Sequence, residues 1–384
     1  MRTVIISANE FFPQFLNSMN PNLEIAAVFM IAAPLYHQSA TLKIGGGGYE
    51  KIIHIVPYEE LKYITSIYFD YVVLAIPFYE YEEVVMKDLA ALNIPKEKIL
   101  PLGGFYTPYG YSFYQRWEII KKDYEKYKIL ATGISYSRTS CYLPAYDAPL
   151  LMGGNSSQDL YYDYQFAKIA LNLPNNNIKY ALIGLAAYSF HYDISIAATE
   201  QYMIMGYYTC YHDVHHYRIN VDVIDQILNL EALRSVKLDI ENVDDYPPQT
   251  YPPSFNTLTR LKNYGLLKKF NEKNFPKTVE ENKEILEKYI ALCEEKGVIP
   301  IAVLYPVSEV AQKYFAGRTF DEFHYIIREF QKTTSLQFLN LWNLEGMSMD
   351  DFFDGLHTNL SGAKKTSAYI NEYLKNFENG KNND

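Results

Sequence analysis

The sequence predicts an α/β protein of two domains, each with a mostly parallel, doubly wound sheet covered by helices on both faces. The first observation is the length: 384 residues, at roughly 100 to 200 residues per domain, suffice for two or three domains with proper cores. The second is an alternation of short β-branched runs with helical stretches, which is typical of buried parallel strands joined by crossover helices. The third is that this alternation begins again near Tyr127. The predicted domains are therefore residues 1–120 and 121–384.

The first domain is predicted to contain several strands and one clearly marked helix. Residues 80–93 form this helix, because Val85 and Leu89 recur on one helical face. Pro95 bars its continuation, and a further strand follows near Ile99. The preceding predicted strands are Arg2 to Ser7, Leu23 to Met30, Ile52 to Val56 and Tyr71 to Ile76.

The first domain also resembles the Rossmann-like domains of polysaccharide and nucleotide-sugar enzymes, in residues 69–76 and 93–99. Its first turn, Ser7-Ala8-Asn9-Glu10, lacks the Gly-x-Gly-x-x-Gly that lets a pyrophosphate approach the backbone. The run Gly45 to Gly48 has no Lys-Ser/Thr after it, which favours a flexible loop tip over a phosphate loop. We therefore expect a degenerate Rossmann-like domain that serves as a scaffold or binds a protein partner, with a nucleotide or nucleotide-sugar as the alternative ligand.

The second domain is predicted to repeat strand and helix up to the carboxyl terminus. Ser156 and Asp159 have capping-box spacing before a helix, Gly297 is a candidate C-cap, and Asn359 or Ser361 precedes the last helix. The proline-rich stretch 247–253 is expected to be an extended surface loop. The predicted strands are Lys128 to Thr132, Lys179 to Leu185, Val298 to Leu304 and Leu336 to Leu341. The remaining predicted helices are a Tyr- and His-rich stretch to about Arg234, one carrying Ile285, Tyr289 and Leu292, one from Phe320 to Lys332, and one carrying Ala363, Ile370 and Tyr373.

Composition and charge exclude several classes of function. The chain has 35 Lys+Arg against 45 Asp+Glu, a net charge of −10, so it lacks the clustered positive charge that drives binding to nucleic acid. The longest apolar run, residues 25–36, contains Pro34 and falls short of the roughly 18 residues that a membrane span needs. Three scattered cysteines and the lack of a signal-peptide pattern indicate a reducing compartment. We expect a cytoplasmic protein without a membrane span or a nucleic-acid partner.

Two groups of reactive side chains follow predicted strands of the second domain, where ligands collect in doubly wound sheets. Ser135 follows the first strand, and Asp354 and His357 follow the last. A carboxylate three residues before a histidine can hold one ring nitrogen, which leaves the other free to take a proton from a hydroxyl. This is the chemistry of a Ser-His-Asp triad.

The spacing itself is weak evidence, because Asp213/His216 and Asp321/His324 share it. The second of these pairs lies in a predicted helix among aromatic residues, where structural side chains are expected. The first belongs to Cys210-Tyr-His-Asp-Val-His-His216, which is rich in metal-ligand types. No second Cys/His cluster completes a tetrahedral site, so a polar helix face is favoured there over a metal site.

Together these residues resemble the SGNH (GDSL-type) hydrolase superfamily, and in style the DltD-like proteins of cell-surface polymer acylation. The resemblance rests on Gly133-Ile134-Ser135, on Asp354-x-x-His357-x-Asn359 and on the run 282–306, and it spans residues ~126–376. It implies a flavodoxin-like fold without metal or organic cofactor, with Ser135 as nucleophile and Asp354 and His357 as its partners. It also implies that the Gly154 N–H contributes to the oxyanion hole.

The chain departs from the family pattern at two places. Ile134 stands where GDSL enzymes have Asp, and the third block, Gly184-Leu-Ala-Ala-Tyr188-Ser189, lacks the expected Asn. Losing one oxyanion donor can cost on the order of a hundredfold in rate. We therefore expect either that Asn155, Tyr188 or Ser189 takes its place or that the protein is a weak or specialised transferase.

The sequence therefore predicts a serine esterase or O-acyltransferase that acts on an acylated carbohydrate or surface-polymer intermediate. The 37 tyrosines, several of which follow the predicted strands, would suit sugar binding. The alternative is a non-catalytic binding protein of glycan biosynthesis that retains the fold, as the missing third-block Asn allows.

Overall fold

The computed structural model describes residues 1–8, 12–31, 38–44, 49–76, 79–103, 120–197, 203–235, 272–315 and 317–379, with a few single residues at 114–118 and 265–269. It shows an α/β protein that divides into two compact units. Unit 1 comprises residues 1–119 and 194–240, and unit 2 comprises residues 120–193 and 241–384. The expected loop tip at 45–48, most of the first turn after β1 and the proline-rich stretch 247–253 lie outside the described residues.

The strands and helices alternate over most of the described chain. The strands are β1 (Arg2–Ala8), β2 (Glu24–Ile31), β3 (Gln38–Ile44), β4 (Tyr49–Pro57), β5 (Tyr71–Ala75), β6 (Ile99–Pro101), β7 (Ile129–Gly133), β8 (Leu150–Met152), β9 (Tyr180–Leu185), β10 (Ile299–Leu304) and β11 (Gln337–Asn340). The helices are α1 (Phe12–Ser18), α2 (Tyr79–Ala91), α3 (Ser135–Ser140), α4 (Leu160–Leu171), α5 (Ile204–Tyr211), α6 (Val221–Ile227), α7 (Leu230–Ser235), α8 (Pro276–Glu295), α9 (Glu309–Phe315), α10 (Arg318–Thr333) and α11 (Leu360–Glu378).

The sheet of unit 1 has the strand order β3-β4-β2-β1-β5-β6. All its pairs are parallel except β3 with β4, which are antiparallel. When β3 is left out, the remaining strands have the order 3-2-1-4-5. This matches five consecutive strands of the Rossmann order 3-2-1-4-5-6, including the point at which the order reverses. Its centre is apolar, with Val4, Ile6, Phe29 and Leu74 buried and Leu89 of α2 packed in the same cluster.

Residues 194–240, which the sequence places after β9, group with unit 1 and carry α5, α6 and α7. Main-chain contacts hold them there: the Asn20 N–H donates to the Ile227 carbonyl at 2.8 Å, and Met19 forms an antiparallel bridge with Leu228. The Tyr217 hydroxyl also donates to the Pro101 carbonyl at 3.2 Å. The chain therefore contributes two separate segments to unit 1.

The sheet of unit 2 is entirely parallel, with the order β11-β10-β9-β7-β8. Numbered within the unit, this is the 2-1-3-4-5 order of flavodoxin-like sheets, whose ligand crevice lies between the first and third strands. All residues of β7 and β9 are buried, as expected of strands covered by helices on both faces. The predicted fold class, a Rossmann-like unit with a flavodoxin-like unit, is confirmed.

The helix ends in unit 2 follow capping rules, with one difference from the prediction. Asp159 itself caps α4, because its side chain accepts from the Tyr162 N–H, whereas Ser156 lies in a turn before it. Asn359 caps α11 by accepting from two main-chain N–H groups. Gly297, after α8, has φ +67°, the left-handed conformation expected of a C-cap residue.

None of the helices within the described part of the chain combines the length and the apolar character that crossing a lipid bilayer would take.

Candidate active site

The candidate site begins where β7 ends, at the crevice between β7 and β9. Gly133 closes β7 with φ +124°, a conformation that side chains rarely adopt. A Cβ atom there would lie 2.5 Å from the Gly184 carbonyl oxygen of β9. The two glycines therefore let the strand ends approach closely, and Ser135 opens α3 two residues later, half-buried at the edge of the sheet.

The structure brings Ser135, His357 and Asp354 into one line of hydrogen bonds. The Ser135 Oγ lies 2.8 Å from His357 Nε2. The other ring nitrogen, Nδ1, lies 2.8 Å from Asp354 Oδ2. With its proton on Nδ1, the imidazole donates to the carboxylate and its Nε2 accepts from the serine hydroxyl, which is the arrangement that general-base activation of a hydroxyl requires.

Main-chain contacts fix the loop that carries Asp354 and His357. Asp354 Oδ1 accepts from the Leu356 and His357 N–H groups, at 3.0 and 2.8 Å. Burial alone would raise the pKa of the Asp354 carboxyl, but the adjacent His357 charge and these hydrogen bonds outweigh it and lower the pKa below its ordinary value. The carboxylate is therefore held ionised and aimed at the imidazole.

A tyrosine ring covers the imidazole from one side. The Tyr136 ring, adjacent to Ser135 in sequence, stacks on the His357 ring with centroids 5.2 Å apart and an interplanar angle of 19°. Burial, and then the hydrogen-bonded hydroxyl of Tyr188, raise the pKa of Tyr136 well above its usual range. This neutral ring restricts the orientation of His357.

Gly154 and Asn155, for which the sequence analysis predicts an oxyanion role, lie beside the end of β7. The Asn155 N–H donates to the Gly133 carbonyl at 3.1 Å. A Cβ atom on Gly154 would lie 2.8 Å from the same carbonyl oxygen, so a larger residue would push the loop away from β7. Asn155 Oδ1 accepts from Arg138 Nη1 at 2.6 Å and from the Ser156 N–H at 3.0 Å.

Tyr188 and Ser189, the other predicted oxyanion or substrate residues, point into the interior. Ser189 Oγ accepts from the Ala186 N–H at 2.8 Å. The Tyr188 ring packs 6.1 Å from Phe315 and 6.0 Å from Tyr192, and is 4% exposed. Within the described part of the chain, neither residue lines the pocket at Ser135.

A pocket of about 310 Å³ opens at the Ser135 side chain. Besides Ser135, Asp354 and His357, its walls are Arg138, Thr139, Ser156, Ser157 and Phe353. A larger cavity, about 390 Å³, lies between α8 and α10 among glutamate side chains such as Glu280 and Glu284. None of the described residues that line that cavity is a histidine, serine or cysteine, so size alone does not identify the site.

Sequence reasoning missed Arg138, a buried wall of this pocket. It lies three residues after Ser135, and such residues share a face when the segment is helical. No helix is predicted from the sequence directly after Ser135, so this spacing alone does not indicate Arg138. Asp163 was also missed, because its partners come from a turn and from β7.

The other aspartate-histidine pairs make different contacts. His324 lies in α10, packed 4.5 Å from the Phe320 ring and 5.8 Å from Phe338. Burial, and then the nearby Arg328, lower the pKa of His324. Asp213 and His216 lie after the end of α5 and not on the helix face favoured from the sequence. The Asp213 Oδ1 accepts from the His215 N–H at 2.8 Å, and the His216 ring stacks on the His215 ring with centroids 3.9 Å apart.

The buried Asp163 side chain accepts hydrogen bonds at the end of β7, and replacing it is expected to destabilise the protein. Its Oδ1 accepts from the Gly133 N–H at 2.7 Å and from Gln158 Nε2 at 2.5 Å. We expect Asp163→Ala to lower the free energy of unfolding by about 1–3 kcal/mol, because the buried Gly133 N–H loses its acceptor, whereas Gln158 Nε2 keeps its hydrogen bond to the Gly153 carbonyl. Urea unfolding of both proteins measures this, and an unchanged midpoint would contradict it.

The ionisation of Asp163 also makes the free energy of unfolding depend on pH. Burial raises the pKa of this carboxyl well above its usual value near 3.8, so the folded state holds the proton more tightly than the unfolded state. Its contribution to stability is therefore greatest below the unfolded pKa and declines as pH rises through the interval up to the folded pKa. Asp163→Asn keeps an acceptor and is expected to remove this decline, as unfolding curves across pH would show.

The comparisons with known proteins are sparse. No protein-family model matches the chain, and no curated protein matches it. A solved structure from Streptococcus pneumonia, described as that of a platelet activating factor, is similar with 9% sequence identity and a TM-score of 0.37. The alignment covers 77% of this chain and 98% of that one. At this level of similarity, the comparison gives no information on activity.

Proposed function

We propose that this protein is an SGNH-type serine esterase or O-acyltransferase. The observation that carries the proposal is the pair of 2.8 Å contacts that link Ser135 to His357 and His357 to Asp354. Their position at the crevice of a flavodoxin-like sheet supports it, since ligands bind there in such folds. The pocket over Ser135 supplies space for an acyl group.

The reaction proceeds in two halves. In the first, Ser135 Oγ forms a bond to the acyl carbonyl carbon while its proton passes to His357 Nε2, and the carbonyl π pair moves onto oxygen. The intermediate then re-forms the carbonyl and expels the alcohol, which takes the proton from His357. In the second half, water or an acceptor hydroxyl gives its proton to His357 and attacks the acyl-serine. The carbonyl then re-forms, the bond to Ser135 Oγ breaks, and this oxygen takes the proton back from His357. Asp354 stabilises the imidazolium in both halves.

The N–H groups of Gly154 and Ser135 are the main-chain donors for the oxyanion. Ser135 begins α3 just after β7, and Gly154 lies against the Gly133 carbonyl at the end of the same strand. Donors fixed before the reaction stabilise the developing negative charge without reorganisation. No metal ion or organic cofactor takes part in this chemistry.

The substrate proposed is an acylated carbohydrate or cell-surface polymer intermediate. This part rests on the resemblance to DltD-like proteins in residues 133–135 and 354–359. For the amino-terminal domain, residues 1–120, we propose a scaffold or protein-binding role, with binding of a nucleotide or nucleotide-sugar as the alternative. Thermal unfolding with a nucleotide panel tests that alternative, because a specific ligand must raise the unfolding temperature.

A fluorophosphonate probe tests the serine chemistry directly. We expect the probe to phosphonylate Ser135 Oγ and release fluoride, because the oxygen is activated by His357. Peptide mass spectrometry would locate the adduct, and the matched variant Ser137→Ala, which changes a buried serine of the same helix, should still be labelled. Labelling that persists in Ser135→Ala would contradict the assignment of Ser135 as the nucleophile.

The non-catalytic alternative predicts a different result from the same experiment. A binding protein that only retains the fold would have no activated serine, and the probe would leave the folded wild-type protein unmodified. The hydrogen-bonded distance between Ser135 and His357 favours the catalytic hypothesis over this alternative.

A further inference from the structure

The sequence leaves the oxyanion hole one donor short. β9 ends in Gly184-Leu185 and is followed by Ala186-Ala187, whose side chains carry no hydrogen-bond donor. Among the described residues, none of the three expected replacements, Asn155, Tyr188 and Ser189, lines the pocket at Ser135. A third donor must therefore come from another element.

Arg138 lies where such a donor is needed. It follows Ser135 by three residues in α3, so the two side chains share one face of the helix. Both line the same pocket, and Arg138 is 8% exposed. Its Nη1 donates to Asn155 Oδ1 at 2.6 Å, which places the guanidinium beside the loop that contains Gly154.

We propose that the Arg138 guanidinium donates a hydrogen bond to the oxyanion that forms when Ser135 attacks an acyl carbonyl. This inference rests on the proposed serine chemistry and adds a catalytic residue to it. An arginine has five N–H donors in a fixed fork, so it can hold Asn155 and contact a second oxygen at the same time. The side chain thereby supplies the donor that the third block lacks.

The charge of the pocket supports this role. A guanidinium stays protonated at all working pH values, and a buried positive charge interacts more strongly with a developing anion than it would in water. Arg138 and Ser135 line the same pocket, so the positive charge lies in the wall of the pocket in which we propose that the negative charge develops.

The test is steady-state kinetics on p-nitrophenyl acetate with Arg138→Ala, Arg138→Lys and wild type. We expect Arg138→Ala to lose about 10²- to 10³-fold in kcat, the loss typical of one oxyanion donor, with little change in KM because the anion exists only in the transition state. Added guanidinium chloride should restore part of the lost rate in Arg138→Ala and none in Arg138→Lys. Arg328→Ala, which removes an exposed arginine of α10, should match wild type.

Several outcomes would overturn the inference. An unchanged kcat in Arg138→Ala would do so, and so would a loss confined to KM or one that guanidinium does not rescue. If Arg138→Ala fails to fold, Arg138→Lys decides: a loss of kcat of about tenfold or more at constant KM supports the inference, because lysine cannot reproduce the fork geometry, and an unchanged kcat overturns it. Failure of the proposed function would give a different result from failure of this inference. If the proposed function is wrong, the wild-type protein itself would be inactive and would not be labelled by the fluorophosphonate.

Discussion

Replacing His357 with alanine is expected to lower kcat by about 10⁶-fold on any ester that the protein hydrolyses, and Ser135→Ala is expected to do the same. Each change removes one end of the 2.8 Å hydrogen bond through which the serine proton leaves. Because the residues act as a unit, the double variant should be no slower than either single variant. Kinetics on an activated ester measure this, and losses that multiply in the double variant would contradict a shared proton transfer.

Asp354→Asn tests the third member of the same line. The new side-chain amide would present an N–H to His357 Nδ1 in place of the carboxylate that now lies 2.8 Å away. The imidazole would then carry its proton on Nε2, facing Ser135, and could not accept the serine proton. We expect a loss in kcat of about 10⁴-fold with the fold retained, since the amide oxygen is still an acceptor for the Leu356 and His357 N–H groups. Wild-type activity in this variant would rule out a role for the carboxylate.

Gly133→Ala is expected to have the largest effect on stability. The residue has φ +124°, and a Cβ atom would lie 2.5 Å from the Gly184 carbonyl oxygen, which is main chain and buried. Backbone strain costs about 1–3 kcal/mol and overpacking about 1–3 kcal/mol more. We therefore expect the free energy of unfolding to fall by about 2–6 kcal/mol in urea unfolding experiments.

Gly317→Ala is the matched control for Gly133→Ala. Gly317 has nearly the same φ, +128°, but its Cβ position has no atom within 4 Å among the described residues. This variant should show the backbone strain alone, and its difference from Gly133→Ala isolates the steric clash between β7 and β9. Equal destabilisation of the two variants would mean that the clash between a Cβ atom at residue 133 and the Gly184 carbonyl adds nothing to the loss of stability.

Much of the fold follows from local sequence, because buried parallel strands are continuous apolar runs. Residues 2–7 and 179–185 stand out in this way, and the structure has strands there. The strands that sequence reasoning missed lack the pattern: β8 has only three residues, and β3 lies at the sheet edge, paired with β4 alone. The return of residues 194–240 to unit 1 depends on contacts that are distant in sequence, which no local pattern contains.

The candidate site is predictable as far as strand ends determine it. Ser135 and His357 each follow a predicted strand, and the order of strands in the sheet brings them together. Tyr188 and Ser189 follow β9 by the same logic, yet their side chains turn inward after the strand. The direction of a side chain in a loop depends on tertiary packing, and the position of Arg138 depends on a short helix that the sequence does not mark.

The contact between Ser135 and His357 spans 222 residues of chain, and this separation affects how the activity is acquired. The entropy of closing a loop grows with its length, and contacts between distant residues form slowly. A chain that has formed β7 and α3 during synthesis holds its nucleophile without a base until the segment before α11 has emerged and docked. Catalytic competence would therefore be among the last properties of the growing chain, and a truncated product would retain Ser135 without its chemistry.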